Sequence, residues 1–272
     1  MIRVKRGDAP ACLLDDGAAG RERRKAEELR KKHPKKSFPF KVYASEEVKL
    51  ALERLFRGKC AYCETRYAAS QPMDVEHWRP KSQYPWAASD WDNLLPSCID
   101  CNRQRYQLLV DERKKVRAGK GTLFPLAKGS KRATSRAAMA REVPLLLHPA
   151  NDDPDEHLRY TEEAVVRARR NSEKAPESIR VYALNRSALV DERLQLLLLL
   201  RHRMHTIAVL IDLLDRSTGR TAELIEDLLI HEMTELHAFA HPARPYSAMA
   251  RHFIKEFAKT IEHSRLTSDS IR

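Results

Sequence analysis

The chain lacks several features that would settle its class at once. No apolar run reaches the roughly 18 to 20 residues that a membrane span needs; the leucine-rich block from Leu194 to Leu200 stops at Arg201, His202 and Arg203. The opening residues, MIRVKRGDAP, carry no apolar h-region of a secretory signal. The expectation is therefore a cytoplasmic protein with no membrane partner. No glycine-rich loop of the phosphate-cradling type occurs, which excludes ATP hydrolysis by a P-loop. No internal repeat is visible, so a solenoid is excluded as well.

Charge is plentiful but unevenly spread. Residues 1–150 hold 32 Lys and Arg against 18 Asp and Glu, a balance of +14, whereas residues 151–272 hold 18 against 20. A basic front half suits a polyanion, because Lys and Arg displace counterions condensed on phosphates. Basicity of this size also occurs in proteins that bind no nucleic acid, so charge alone does not decide. With 42% hydrophobic residues over 272 positions, the chain has ample material for a packed core.

Local patterns give an α+β chain that is predominantly helical. Residues 21–36 mix both signs of charge at helical spacing until Pro34, as a solvated helix and basic loop do. In residues 45–59, Ser45 stands at the N-cap, Val48, Leu52, Leu55 and Phe56 share a face, and Gly58 sits at the C-cap. Short β-compatible pieces lie at 73–78 and 93–97, and a helix is expected from Asn102 to Gly119. A Gly, Lys and Ser-rich connector covers 119–136. A short strand and turn follow in 142–160, and a strand at 164–169. Thereafter the pattern is helical over 175–184, 189–215, 221–240 and 247–261.

Four of the five cysteines form two pairs, Cys60/Cys63 in CAYC and Cys98/Cys101 in CIDC. Each pair offers two thiolates from one tight turn, and zinc takes four such ligands at about 2.3 Å, so the spacing names a structural Zn²⁺ site. A rubredoxin-like iron centre and a redox pair are the alternatives. Cys12 is left over as a free thiol. A closed four-thiolate site leaves no coordination position for substrate; it staples DVEHWRPKS (74–82) to DNLLPSCIDCNRQR (92–105).

The staple gathers Asp74, Glu76, His77, Asn93 and Asn102. A strand with Glu76 and His77, a return strand opened by Asn93, and a helix at Asn102 resemble the HNH endonucleases, the ββα-metal fold. Their pattern of acid-His, central Asn and final His or Asn is matched by VEHWRP, WDNLLPSC and CNRQR. The segments MIRVKR, KCAYCE, VEHWRPKS, WDNLLPSC, CNRQ, LLLHPANDDPDEHLRY and ALNRSALVDER resemble the HNH subunits of Septu-type and retron-associated anti-phage systems, the PtuB-like proteins.

Phosphodiester hydrolysis needs a base for water, a cation on the developing charge and help for the leaving oxygen. His77 is the candidate base. Glu76 and Asn102 offer oxygen ligands for a catalytic Mg²⁺ or Mn²⁺, with Asp74 a weaker third. The resemblance implies that Asn93 fixes the His77 loop. In many HNH enzymes the acid is aspartate; here glutamate stands in its place, and Asn102 takes the final position instead of histidine. Arg79, Lys81, Arg103 and Arg105 lie around these residues as phosphate contacts or simply as exposed cations. Trp78, Trp86 and Trp91 suit packing over the stapled core better than base stacking.

Other features have plain readings. His202, His205, His231, His237 and His241 form no HExxH pair and read as helix-surface residues. His148, Asp152 and Asp153 read as a turn. The expected organisation is a basic segment at 1–44, an HNH domain at 45–130 and a helical region at 131–272. The last, near-neutral and leucine-striped, is expected to dock a partner. The resemblance implies a PtuA-like ATPase as that partner, with a retron reverse transcriptase and its DNA product as further candidates. Nucleic acid is the expected substrate, DNA ahead of RNA. A non-catalytic zinc-dependent nucleic-acid-binding module and a structural zinc scaffold are the competing functions.

Overall fold

The computed structural model describes residues 1–33, 36–67 and 71–269; Pro34, expected to stop the first helix, lies outside them. Helix α1 (Ala18–Lys32) ends in Arg30, Lys31 and Lys32, where cations complement the carbonyl end of a helix. In α2 (Glu46–Phe56), Val48, Leu52 and Phe56 are buried, one turn apart. Ser45 occupies the N-cap but makes no side-chain cap bond, and Arg57, not Gly58, takes the first left-handed position, with φ 57°. Gly58 follows in the same region and donates its N–H to the Glu53 carbonyl at 2.9 Å.

After α2 the chain makes its first knuckle and enters β1 (Asp74–His77), which pairs antiparallel with β2 (Leu94–Ser97). The register sets Glu76 opposite Leu95 and His77 opposite Leu94. The second knuckle opens α3 (Ile99–Asn102), a single turn whose N-cap position is Cys98. The helix expected from Asn102 to Gly119 is therefore corrected. It begins at Ile99, ends at Asn102, and gives way to the hairpin β3 (Arg105–Gln107) and β4 (Val116–Ala118). Its backbone is claimed elsewhere: Val110 N–H donates to the Asn185 carbonyl, and the Leu108 carbonyl accepts from Ser187 N–H.

No strand forms in 142–148, where an isolated bridge joins Leu126 and Pro144. The one-turn α4 (Pro154–His157) leads to β5 (Leu158–Tyr160), paired with β6 (Val166–Ala168). The rest is helical: α5 (Lys174–Val181), α6 (Ser187–Leu214), α7 (Gly219–Ala238) and α8 (Ser247–Asp269). By length and composition α6 could cross a membrane. Within the protein, however, it buries Leu189, Val190, Arg193, Leu197, Leu200, Ile207 and Leu210. Its distal half packs with Leu236 of α7 and Ala250 and Ile254 of α8.

The main core draws on the whole length of the chain. Met1, Ile2 and Val4 pack with Tyr62, Trp78, Leu147, Tyr182, Leu197 and Phe253 in one cluster. A second, smaller cluster joins Leu13 and Ala19 to Val48 and Leu52 of α2 and Leu94 of β2. Burial of this extent, at roughly 25 cal/mol per Å² of apolar surface, fixes the hairpin that carries Glu76 and His77 against both ends of the chain.

Candidate nuclease site and metal centre

The two knuckles bring Cys60, Cys63, Cys98 and Cys101 together, with all four Sγ atoms within 4.8 Å of one another and every side chain buried. Cys63 and Cys98 Sγ stand 3.7 Å apart. A tetrahedron with metal–sulfur bonds of about 2.3 Å has edges of about 3.8 Å, so the spacing fits zinc. The knuckles are locked into the fold by Ala61 N–H on the Pro96 carbonyl and Lys120 N–H on the Cys101 carbonyl. Among the described residues this is the one group of three or more Cys, His, Asp or Glu placed to share an ion.

Arg186 completes the centre and was not legible in the sequence. Its buried guanidinium donates to Cys101 and Cys63 Sγ at 3.5 Å and to Cys98 Sγ at 3.8 Å. Four thiolates around one Zn²⁺ carry a net charge of −2, which is costly in a buried place without a cation beside it. The sulfur cluster in turn holds Arg186 firmly in its charged form, against the effect of burial.

Beside this centre lies the hairpin. His77 is nearly buried, packed edge-on against Tyr43 with ring centroids 4.4 Å apart. Its Nε2 lies 2.8 Å from the Ala88 carbonyl oxygen. A carbonyl can only accept, so Nε2 carries the proton and Nδ1 keeps its lone pair. Burial pulls the ring's pKa down to about 4; the Ala88 contact opposes this, and the charges of Lys81 and Lys120 add to it. The imidazole is neutral at pH 7, the form a base requires.

Asn93 ties the loop around it. Its amide nitrogen donates to the Arg79 and Ala87 carbonyls at 3.0 and 2.9 Å, and its oxygen accepts from Arg79 N–H at 2.7 Å. The neighbouring carbonyl, Ala88, is the one that holds His77.

Asp74 meets Asn102 and Arg103. Asn102 Nδ2 donates to Asp74 Oδ2 at 2.9 Å, and Arg103 grips both carboxylate oxygens at 2.9 and 2.8 Å. Glu76 lies two residues along β1, its side chain almost wholly buried, with Oε1 2.5 Å from Lys120 Nζ. Burial raises the pKa of Glu76, while Lys120 works against that shift. The Lys120 ammonium, itself fully buried, also donates to the His77 carbonyl at 2.8 Å. Lys120 sits in a stretch that reads as a loose connector, and no sequence signal marks its burial.

The remaining basic candidates divide. Arg79 points inward, bonded to the buried Glu142 at 3.0 Å and lying over Trp78. Lys81 Nζ donates to Tyr43 Oη at 2.6 Å. Arg103 and Arg105 are exposed, paired with Asp74 and Asp100. Trp78 is buried between Phe124 and His148, Trp86 donates to Met139 Sδ and Trp91 to the Gly7 carbonyl. His148 closes a turn in which its own N–H meets Asp152. His202, His205, His231, His237 and His241 are exposed.

Comparison with known proteins agrees with this geometry. The family model described as HNH endonuclease matches residues 60–107, the stretch from the first knuckle to β3. The Septu protein PtuB of Bacillus mycoides (strain KBAB4) is 34% identical over 208 residues, 71% of this chain and 66% of that protein. The Septu protein PtuB of Bacillus thuringiensis is 35% identical over 106 residues, 39% of this chain and 37% of its own. The Septu protein PtuA of Bacillus mycoides (strain KBAB4) is 27% identical over 158 residues, 53% of this chain and 20% of that protein. The matches thus span just under two thirds of the first PtuB and about a third of the second. With both knuckles, the hairpin and Asn102 inside the matched stretch, and PtuB proteins among its relatives, the chain carries an HNH endonuclease domain at residues 60–107.

Proposed function

We propose that the chain is a metal-dependent endonuclease that hydrolyses phosphodiester bonds of nucleic acid, DNA ahead of RNA, as the nuclease subunit of a cytoplasmic anti-phage system with a PtuA-like ATPase. Two observations support this reading: His77 has its Nε2–H tied to the Ala88 carbonyl and its loop tied by Asn93, and the strand that carries it also carries Asp74, bonded to Asn102, and Glu76. In that role His77 Nδ1 takes the proton of the attacking water. Asn93 acts through the loop and touches no substrate. Glu76 and Asn102, with Asp74, supply the hard oxygen donors that Mg²⁺ or Mn²⁺ prefers. Such an ion, when bound, stabilises the charge that develops on the phosphate and leaving oxygen. Lys81, Arg103 and Arg105 would hold the flanking phosphates, and Arg79 would set the loop from within.

The near-neutral helices α6 to α8 would dock the ATPase, which places substrate and gates the cut. The relatives are Septu proteins, so the retron side of the resemblance plays no part in the proposal. One observation favours the non-catalytic alternative: Lys120 already neutralises Glu76. The deciding experiment incubates the zinc-loaded chain, alone and with the ATPase, with DNA and RNA across a Mg²⁺ and Mn²⁺ titration. Cutting of DNA that depends on the added ion, and needs more of it in Glu76→Gln and Asn102→Ala, supports the proposal. Binding without cutting under every condition makes the chain a binding module.

A further inference from the structure

The hairpin β3–β4 leaves the site directly after Asn102 and is held rigidly. Gln107 Nε2 donates to the Asp100 and Ala118 carbonyls at 3.0 Å each, and Gly121 N–H to the Asn102 carbonyl at 2.6 Å. Gly119, at φ +111°, lets the return strand lie flush against Arg103: a Cβ there would come within 2.1 Å of the Arg103 carbonyl oxygen. The hairpin is thus fixed to the residues that carry the site.

Its outer face is unlike a packing surface. Directly opposed residues share a face in an antiparallel pair, so Tyr106 and Arg117 stand together, away from Gln107 and Val116. Tyr106 is 75% exposed, more than any other large apolar or aromatic side chain among the described residues. Between residues 103 and 117 there are six Lys and Arg against two acids, and one of those, Asp111, pairs with Arg167 of β6. Arg113, Lys114, Lys115 and Arg117 are exposed and make no ion pair among the described residues. An uncovered aromatic ring beside a guanidinium in a positive field matches what a nucleic-acid strand presents: a flat π-face flanked by phosphates.

We propose that the β3–β4 hairpin is a second nucleic-acid contact, in which Tyr106 stacks on an unpaired base while Arg117, Lys114 and Lys115 hold the flanking phosphates. The proposal rests on the nuclease reading and names its substrate class: strands with unpaired bases beside the cut. A base inside a closed duplex offers no free face to a side chain.

The test uses the full zinc-loaded chain carrying His77→Ala, so that probes survive. Fluorescence anisotropy measures binding to a labelled single strand, its blunt duplex, and the duplex with a single-stranded tail. Tyr106→Ala should weaken the single-stranded and tailed probes about tenfold, and the blunt duplex by less than about twofold, with zinc content and melting temperature unchanged. Tyr106→Phe should restore binding, because the stack needs the ring and not the hydroxyl. Arg117→Gln should weaken all three probes and flatten their salt dependence by about one counterion. Equal affinities of Tyr106→Ala and its parent on every probe would overturn the proposal, as would a loss confined to association with the ATPase. If the parent with its hairpin intact binds none of the probes, the nuclease reading itself fails.

Discussion

Lys120 is the side chain whose removal should be felt most for its place in the sequence. Its ammonium is fully buried, 2.5 Å from Glu76 Oε1 and 2.8 Å from the His77 carbonyl. Lys120→Met keeps the length and apolar stem but leaves a buried carboxylate without its cation. Breaking a buried pair on one side costs about 3–5 kcal/mol, because the abandoned charge is not resolvated. For a protein of this size each kcal/mol lowers the melting temperature by about 2–4 °C, so a drop on the order of 10 °C is expected. The double variant Glu76→Gln/Lys120→Met removes both charges and should recover most of the loss. Urea denaturation and thermal melting of the four proteins in the cycle, without added Mg²⁺, measure the coupling. A shift below about 2 °C in Lys120→Met, or a double variant no more stable than the single, would refute a tight buried pair.

Cys60→Ser or Cys98→Ser should purify with less than one zinc per chain and lose cooperative melting, since structural zinc contributes folding free energy directly; elemental analysis and calorimetry check both. Arg186→Gln should keep zinc but release it faster to a chelator, because the cation facing three sulfurs is gone; equal release rates would contradict that role. His148 is held neutral, Nε2 on the Asp92 carbonyl and Nδ1 accepting from Ala150 N–H, and its pKa is depressed to about 4, burial being the main cause. A depressed folded pKa means stability present above the unfolded value of about 6.5 and lost as pH falls toward 4, about 3 kcal/mol in total. Unfolding free energies across that window should fall less steeply in His148→Gln than in the parent.

The parts of the site that lie close in sequence were legible. CAYC and CIDC marked the four-cysteine cluster, because two tight pairs of thiols leave few other uses, and Glu76 and His77 sit on the short strand their pattern indicated, whereas Asn93, expected on the return strand, lies in the turn Trp91–Asn93 just before it. What escaped depends on distant partners. Arg186 reaches sulfurs 85 to 123 residues away, and Lys120 reaches Glu76 across a stretch that reads as a loop. The helix read from Asn102 to Gly119 rested on good helix formers such as Gln, Leu, Glu and Lys. Their preferences amount to a few tenths of a kcal/mol each, and bonds from 185–187 together with the close approach at Gly119 outweigh them. The loss mattered, since that stretch holds the exposed Tyr106.

The measurement that bears most directly on the central claim is the single-turnover cleavage rate of DNA by the zinc-loaded chain with its ATPase, compared with His77→Ala at matched Mg²⁺ or Mn²⁺. Removing a base that accepts the water's proton should slow the cut by about 10²–10⁴-fold while zinc content stays unchanged and the protein still melts cooperatively. A His77→Ala protein that cuts at the parent's rate would contradict the account.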